Sequence, residues 1–364
     1  MRVSQVLYSG LGGHGSVAFS LQAAAEQAGS DWQGAMIFLG IEPVLPEYAR
    51  LCAERGLPHR YVAATAGRPW RSWPGLGRAL REQRPDAILL HSVKTILPAW
   101  MHARRHRARL IAVEHQANAL KTRSEWAASR MLMRLADTVV VLTPDYAEAL
   151  RAGLGNAWRG DKVHVIPNGI DTRAFAPVGH VRDAGPRVVG MASRFSANKR
   201  HETLIGALRL LRDRDGPQAW RLSLAGDGET RAAVAAQAAG AGVSDMLDMP
   251  GFLGGEALVE WFRGLDIYAH ASDGETLSTS LLQAMSMGLP ILGSDVPGIR
   301  DLLAGGRGML AGSQTADGFA RALSHLAQSP CQAAAMGRTA REAALAHYSQ
   351  QAMHGRYAAL LEQA

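Results

Sequence analysis

The densest set of polar residues able to hold an anion lies at 272–283, where the apolar run IYAHA gives way to Ser272-Asp273-Gly274-Glu275-Thr276 and then to a helical segment. Ser278 can cap that helix, and Gly288 and Pro290 stop it. The backbone N–H groups of Thr276, Leu277 and Ser278 then face the carboxyl edge of a sheet, where open α/β folds bind anions. Glu275 and Gln283 are eight positions apart, roughly 12 Å at ~1.5 Å per helical residue. That separation suits two hydrogen-bonding groups at opposite ends of a nucleotide-sugar, with its diphosphate between them.

A second cluster opens the chain. Gly10-Leu11-Gly12-Gly13-His14-Gly15 is a G-x-G-x-x-G sequence between a strand and a helix expected at 16–28. Glycines let the backbone approach a ligand, and a helix start favours an anion, so Gly12, Gly13 and His14 are candidates for phosphate or sugar contact. A purely structural tight turn is the alternative. A dinucleotide fold also wants an acid about 20 residues on; Glu42 stands 27 residues beyond Gly15. None of the seven tyrosines has a lysine four places later, the pair that oxidoreductases acting on nucleotide-sugars usually add. A P-loop is excluded, because none of the four lysines follows a glycine.

The elements that must position these residues alternate along the whole chain, apolar β-branched runs with Ala-rich helical segments, which is the rhythm of parallel sheets covered by helices. Strands are expected at 3–9, 35–39, 87–90, 110–113, 138–142 and 163–166, and again at 188–192, 221–225, 247–249, 267–271, 290–293 and 308–310. Between the two sets the chain loosens into DTRAFAPVGHVRDAGP at 171–186, read as the interdomain linker. The 364 residues are too many for one ordinary core and imply two domains of roughly 170 residues each. The expected division is 1–172 and 173–347, with a helix in 348–364 whose Met353, Tyr357, Leu360 and Leu361 share a face and can return to the first domain.

With 47% apolar and 20% charged residues the chain is globular rather than disordered. Cys52 and Cys331 are far apart and without metal spacing, so neither a disulfide framework nor a zinc knuckle is available, and a reducing, cytoplasmic setting is expected. The N-terminus does not read as a signal peptide, and no run approaches the ~20 apolar residues of a membrane span. The net charge of +7 is concentrated: residues 68–109 hold ten Lys/Arg and two acids, a local balance of +8, leaving 29 basic and 30 acidic residues elsewhere. Within that stretch RPWRSWPGLGRALREQRP sets Trp70, Trp73, Leu76 and Leu80 among arginines, a pattern that can rest on an anionic bilayer or form a solvated helix face. Nucleic-acid binding would rest on this stretch alone, without aromatic platforms or a known module.

Taken in order, GLGGHG, VIPNGID (165–171), GMASRFSANKRHETLIGAL (190–208), LSLAGDGE (222–229), GFL (251–253) and DGETL followed by LLQAMSMGLPI (273–291) resemble the retaining GT-B glycosyltransferases of family 4 over nearly the whole chain. The resemblance implies an α/β fold of two doubly wound Rossmann-like domains facing a central cleft, with the acceptor bound by the first and a nucleotide-sugar donor, UDP- or GDP-linked, by the second. It implies chemistry without a metal or other cofactor. Carried over by position, Arg194 and Lys199 meet the donor diphosphate, Glu275 accepts from sugar hydroxyls, Thr276 and Leu277 offer N–H groups to phosphate, and Gly251, Phe252 and Leu253 lie near the base. His115, just past a strand end, faces the donor sugar; His14 and His91 are further candidates. The departure is at Gln283, where the family pattern Glu-x7-Glu has its second Glu on the ribose. Gln keeps that contact but loses charge assistance, about 1 kcal/mol.

The implied activity is retaining transfer of a sugar to a glycan or lipid-linked acceptor, as in assembly of lipopolysaccharide or another surface polysaccharide at the cytoplasmic face of the inner membrane. A nucleotide-sugar epimerase or hydrolase of the same fold, and an NAD(P)-dependent oxidoreductase, are the alternatives.

Overall fold

Residues 1–10, 13–91, 93–115, 118, 121–177 and 185–362 are described by the structure, a computed structural model. The chain forms two compact units, one of Met1–Gly169 with Gln350–Ala364 and one of Ile170–Ser349.

The first unit alternates β1 (Arg2–Tyr8), α1 (Gly13–Gln27), β2 (Gln33–Gly40), α2 (Pro46–Glu54), β3 (His59–Ala63), α3 (Trp73–Gln83), β4 (Ala87–Leu90), α4 (Ile96–His106), β5 (Arg109–Val113), α5 (Arg123–Leu135), β6 (Thr138–Val141), α6 (Pro144–Leu154) and β7 (Val163–Val165). The sheet is parallel, in the order β3-β2-β1-β4-β5-β6-β7. AILL in β4 and TVVV in β6 are buried at every position, as parallel strands covered on both faces must be. The order reverses between β1 and β4, the place where open sheets leave a crevice at their carboxyl ends. β3 is the strand that apolar patterning misses: HRYVA lies on the sheet edge with only Val62 buried.

The second unit runs β8 (Arg187–Ala192), α7 (His201–Asp215), β9 (Trp220–Ala225), α8 (Arg231–Gly240), β10 (Leu247–Gly251), α9 (Gly255–Arg263), β11 (Ile267–His270), α10 (Thr279–Ser286), β12 (Ile291–Gly293), α11 (Pro297–Leu303), β13 (Met309–Leu310), α12 (Ala316–Gln328) and α13 (Pro330–His347). Its parallel sheet has the order β10-β9-β8-β11-β12-β13, with the reversal between β8 and β11. α14 (Gln350–Glu362) belongs to the first unit, where Met353, Tyr357, Leu360 and Leu361 are buried and the helix packs on α1.

Two expectations need correction. Residues 170–177 are not slack linker. Ile170 bridges to Ser349, Phe175 is buried against Phe262, and Ser286 Oγ donates to the Phe175 carbonyl at 2.6 Å; one large apolar side chain suffices to pin this stretch to the second unit. Residues 178–184 lie outside the described part. Nor do Leu76 and Leu80 form part of an outward apolar face. Both are fully buried in the core between α3 and the sheet, because they lie one helical turn apart on its inner side. Of that pattern Trp70 is the large apolar side chain left mostly exposed, at 55%.

Candidate functional site

In the second unit the reversal point collects the residues singled out at 194–199 and 272–283. After β8 the chain makes a single turn at Ala197–Lys199 and enters α7 through Arg200, whose φ of 31° is left-handed. After β11 it makes the loop containing Glu275. The two loops are tied together, since the Asn198 carbonyl accepts from the Asp273 N–H at 2.9 Å and from Ser272 Oγ at 3.1 Å. Gly298 is closed against the same loop: a Cβ there would stand 2.3 Å from the Glu275 carbonyl oxygen and 2.7 Å from that of Thr276, so only glycine lets α11 pass.

These ties place Lys199 Nζ directly on Glu275 Oε1, with His270 Nε2 2.7 Å from the same oxygen. The side chains are 17% and 10% exposed for Lys199 and Glu275, and His270 is fully buried. Burial pushes the Glu275 carboxyl up, but the Lys199 charge and the His270 hydrogen bond outweigh it and hold the carboxyl at about 2. Burial also pushes His270 down, so the neutral ring donates from Nε2 to Glu275 while Nδ1 accepts from the Tyr268 hydroxyl at 3.1 Å. Next door, burial and then the neighbouring His270 and Lys199 push His201 down to about 3, as it stacks on Phe195 at 4.1 Å. Thr276 follows immediately, 7% exposed, and its buried hydroxyl oxygen has no hydrogen-bond partner among the described residues. α10 begins at Thr279, with Ser278 as the expected cap accepting from the Leu281 N–H at 3.4 Å.

The structure thus joins Lys199, Glu275, Thr276 and the start of α10. Arg194 stands apart from this pairing, 3.6 Å from Glu229 and 42% exposed. Gly251 ends β10 at φ 82°, Phe252 is 45% exposed and Leu253 is partly buried. Gln283 is buried inside α10. The 12 Å spacing inferred for Glu275 and Gln283 treats the whole interval as helix; the helix starts only at Thr279, so half of that interval is loop and the figure does not hold. Sequence reading missed His270, Tyr268 and Arg200, the last pairing with Asp273 at 2.9 Å and with Glu202. His270 sits five residues before Glu275 at a strand end, a position that patterning treats as core.

In the first unit His91 follows β4 and His115 follows the adjacent β5. The structure brings them together, His91 Nδ1 lying 2.8 Å from His115 Nε2. Beneath them is a buried network that sequence reading also missed. Lys121 Nζ pairs with Glu114 Oε2 at 3.1 Å, both side chains 1% exposed. Ser129 Oγ donates to Glu114 Oε1 at 2.6 Å, Tyr146 OH reaches Oε2 at 3.3 Å, and the Lys121 ammonium lies over the Trp126 and Tyr146 rings. Burial pulls the Lys121 ammonium below its ordinary value, and Glu114 opposes this. The scarcity of lysine, four among 39 basic residues, is the signal that marks Lys121 as well as Lys199.

Gly12 lies outside the described residues, as does the side chain of His14; Gly13 opens α1. At Gly10 the space a Cβ would fill is occupied by the Glu42 carboxylate, 2.0 Å away. A carboxylate closing on the glycine turn repels a pyrophosphate there, which weighs against the dinucleotide alternative.

Residues 12–174 match the sequence profile of the family described as Glycosyltransferase Family 4, and residues 186–329 match that of Glycosyl transferases group 1. A GDP-mannose-dependent alpha-mannosyltransferase of Mycobacterium tuberculosis is 26% identical over 247 residues, covering 62% of this chain and 60% of its own length. A 2-deoxystreptamine glucosyltransferase of Streptomyces kanamyceticus is 30% identical over 186 residues, covering 48% and 47%. The chain therefore spans less than two thirds of the length of these relatives. Among solved structures, Alr3699/HepE of Anabaena in complex with UDP and glucose superposes with a TM-score of 0.84 at 17% identity over 100% of both chains, a likeness of fold. The chain is accordingly built from an N-terminal domain of Glycosyltransferase Family 4 followed by a C-terminal domain of Glycosyl transferases group 1, on two doubly wound parallel sheets.

Proposed function

We propose that this protein is a retaining, metal-independent glycosyltransferase that takes a sugar from a UDP- or GDP-linked donor to a glycan or lipid-linked acceptor in surface-polysaccharide assembly. The observation that carries the reading is the ionised, buried Glu275 held by Lys199 and His270 and followed by the Thr276 hydroxyl, which has no hydrogen-bond partner among the described residues. Such a carboxylate accepts from sugar hydroxyls, while Lys199, Arg194, the Thr276 and Leu277 N–H groups and the start of α10 supply positive field to a diphosphate beside it. The exposed Phe252 ring offers a face to a base, next to Gly251 and Leu253, and Gln283 serves the ribose. The second unit thereby holds the donor and the first the acceptor, with His115 meeting a sugar hydroxyl.

The departing diphosphate takes the proton of the attacking acceptor hydroxyl as the new glycosidic bond forms on the same face from which the old one breaks. The protein's part is to orient the two substrates and stabilise charge on the leaving group. The names of similar proteins support a sugar nucleotide as donor and divide between GDP and UDP. A panel of nucleotide-sugars followed by thermal denaturation tests the donor: one matching nucleotide-sugar raises the melting temperature and NAD(P) does not, whereas stabilisation by NAD(P) alone sinks the reading.

Membrane contact belongs to the same proposal. No helix among the described residues is long and apolar enough to cross a membrane. The charge excess is borne by the ends of α3 and α4, where Arg104, Arg105 and Arg107 are exposed and suit an anionic bilayer carrying the acceptor. Reversing these three to glutamate is expected to release the protein from phosphatidylglycerol vesicles in a flotation assay; retention of the variant on the vesicles overturns this docking.

A further inference from the structure

Glu275 is held through one oxygen. Lys199 Nζ and His270 Nε2 both donate to Oε1, and Oε2 takes no hydrogen bond among the described residues. Lys199 is a poor clamp by itself, because an ammonium on a flexible four-carbon stem can turn its three donors to any acceptor that arrives. His270 cannot move in this way. Its ring is 0% exposed at the end of β11, and its Nδ1 lies 3.1 Å from the Tyr268 hydroxyl. Strand alternation puts Tyr268, two residues earlier, on the same face of the sheet. Tyr268 is itself fixed from three elements: Ser280 Oγ in α10 is 2.8 Å from its hydroxyl, the Ala192 N–H in β8 donates to it at 3.4 Å, and the Phe262 ring of α9 stacks on it with centroids 5.6 Å apart.

The geometry points to His270, backed by Tyr268, as the positioning residue that turns the Oε2 edge of Glu275 toward the donor sugar. With Oε1 occupied by two protein donors, Oε2 is the acceptor left for a substrate hydroxyl, and it meets that hydroxyl without first breaking a bond to the protein. His270 is the holder that stays when Lys199 turns toward a phosphate. An imidazole suits this task, since it donates from one ring nitrogen and is gripped at the other with no torsion between them. A carboxylate pinned in this way is ordered before substrate arrives, so its ordering is not a cost of binding.

This inference rests on Glu275 serving the proposed glycosyl transfer, but its first test needs no substrate. The Glu275 carboxyl is followed by 13C NMR in the full chain from neutral pH down to about pH 4, just below its ordinary 4.5. The wild-type carboxyl is expected to stay ionised throughout. His270→Phe keeps a ring but removes the donor, and its Glu275 is expected to titrate at higher pH. His270→Gln, whose amide NH2 can stand in for the ring Nε2–H, is expected to stay close to wild type. If His270→Phe does not fold, Tyr268→Phe, which frees the far side of the imidazole, is expected to give the same shift to a smaller extent. An unchanged Glu275 titration in a folded His270→Phe, or in Tyr268→Phe where it takes that place, overturns the inference. Where transfer is assayed, His270→Phe lowers kcat by about ten- to a hundredfold, the worth of a hydrogen bond to a charged group, and His270→Gln recovers most of it. Binding of the sugar-free nucleoside diphosphate, UDP or GDP, is unchanged in His270→Phe, since it lacks the hydroxyls that Oε2 would receive; loss of that binding in step with kcat overturns the positioning role. A wild-type protein whose Glu275 titration depends on His270 as expected, but which transfers from no nucleotide-sugar, removes the proposed function and leaves the hold of His270 on Glu275 standing.

Discussion

Lys199→Ala is expected to raise the barrier to sugar transfer by about 2 to 4 kcal/mol, a loss of roughly 30- to 1,000-fold in kcat, as for removal of one preorganised charge at a developing anion. Lys199 is the only lysine of residues 170–349, and it sits on Glu275 at the start of the loop that leads into α10. Its loss removes the charge facing the leaving diphosphate and leaves Glu275 with His270 alone. Lys199→Arg, which keeps charge but not shape, should recover part of the rate. Single-turnover rates at saturating donor provide the measurement, and unchanged turnover would sink the diphosphate assignment.

The same substitution has a signature in acid. The Glu275 carboxyl is held at about 2 against its ordinary 4.5. A carboxyl whose folded pKa lies below its unfolded value adds stability that is fully present above the unfolded value and is lost as pH falls through the folded one. For Glu275 that contribution is on the order of 3 kcal/mol, lost between pH 4.5 and about 2. Lys199→Ala should flatten this part of the acid unfolding curve.

Lys121→Met is the substitution expected to cost most stability, about 3 to 5 kcal/mol, because it strands the Glu114 carboxylate in a site where both partners are 1% exposed. Adding Glu114→Gln to it should restore part of the loss, since the amide oxygen still accepts from one of the hydroxyls of Ser129 and Tyr146, and the NH2 can donate to the other, without a buried charge. Hydrogen exchange in β5 and α5 under mild urea reads the effect where it arises; equal protection in Lys121→Met and wild type contradicts it.

The central strands such as AILL and TVVV were legible because they are buried on both faces and so read as unbroken apolar runs. The helix at Gln350–Glu362 was legible from four apolar residues at helical spacing, all buried. β3 was not, because an edge strand buries one residue in five and the rest of HRYVA reads as surface. Leu76 and Leu80 misled because an amphipathic stripe has the same pattern whether it meets a sheet or a bilayer.

Sequence alone determined which residue types stand at strand ends: glycines after β1, a lone lysine after β8, a carboxylate and a capping serine after β11. These follow from local rules, since periodicity, capping and turn chemistry act over a few neighbouring residues. Only the tertiary structure decided which of them meet. Lys199 and Glu275 are 76 residues apart in the chain, as are Ala192 and Tyr268; each pair is joined because parallel crossovers bring non-consecutive strands side by side at the order reversal. The protonation of these groups follows from that meeting, because burial and a charged or hydrogen-bonding neighbour both come from across the sheet and leave no trace in local sequence.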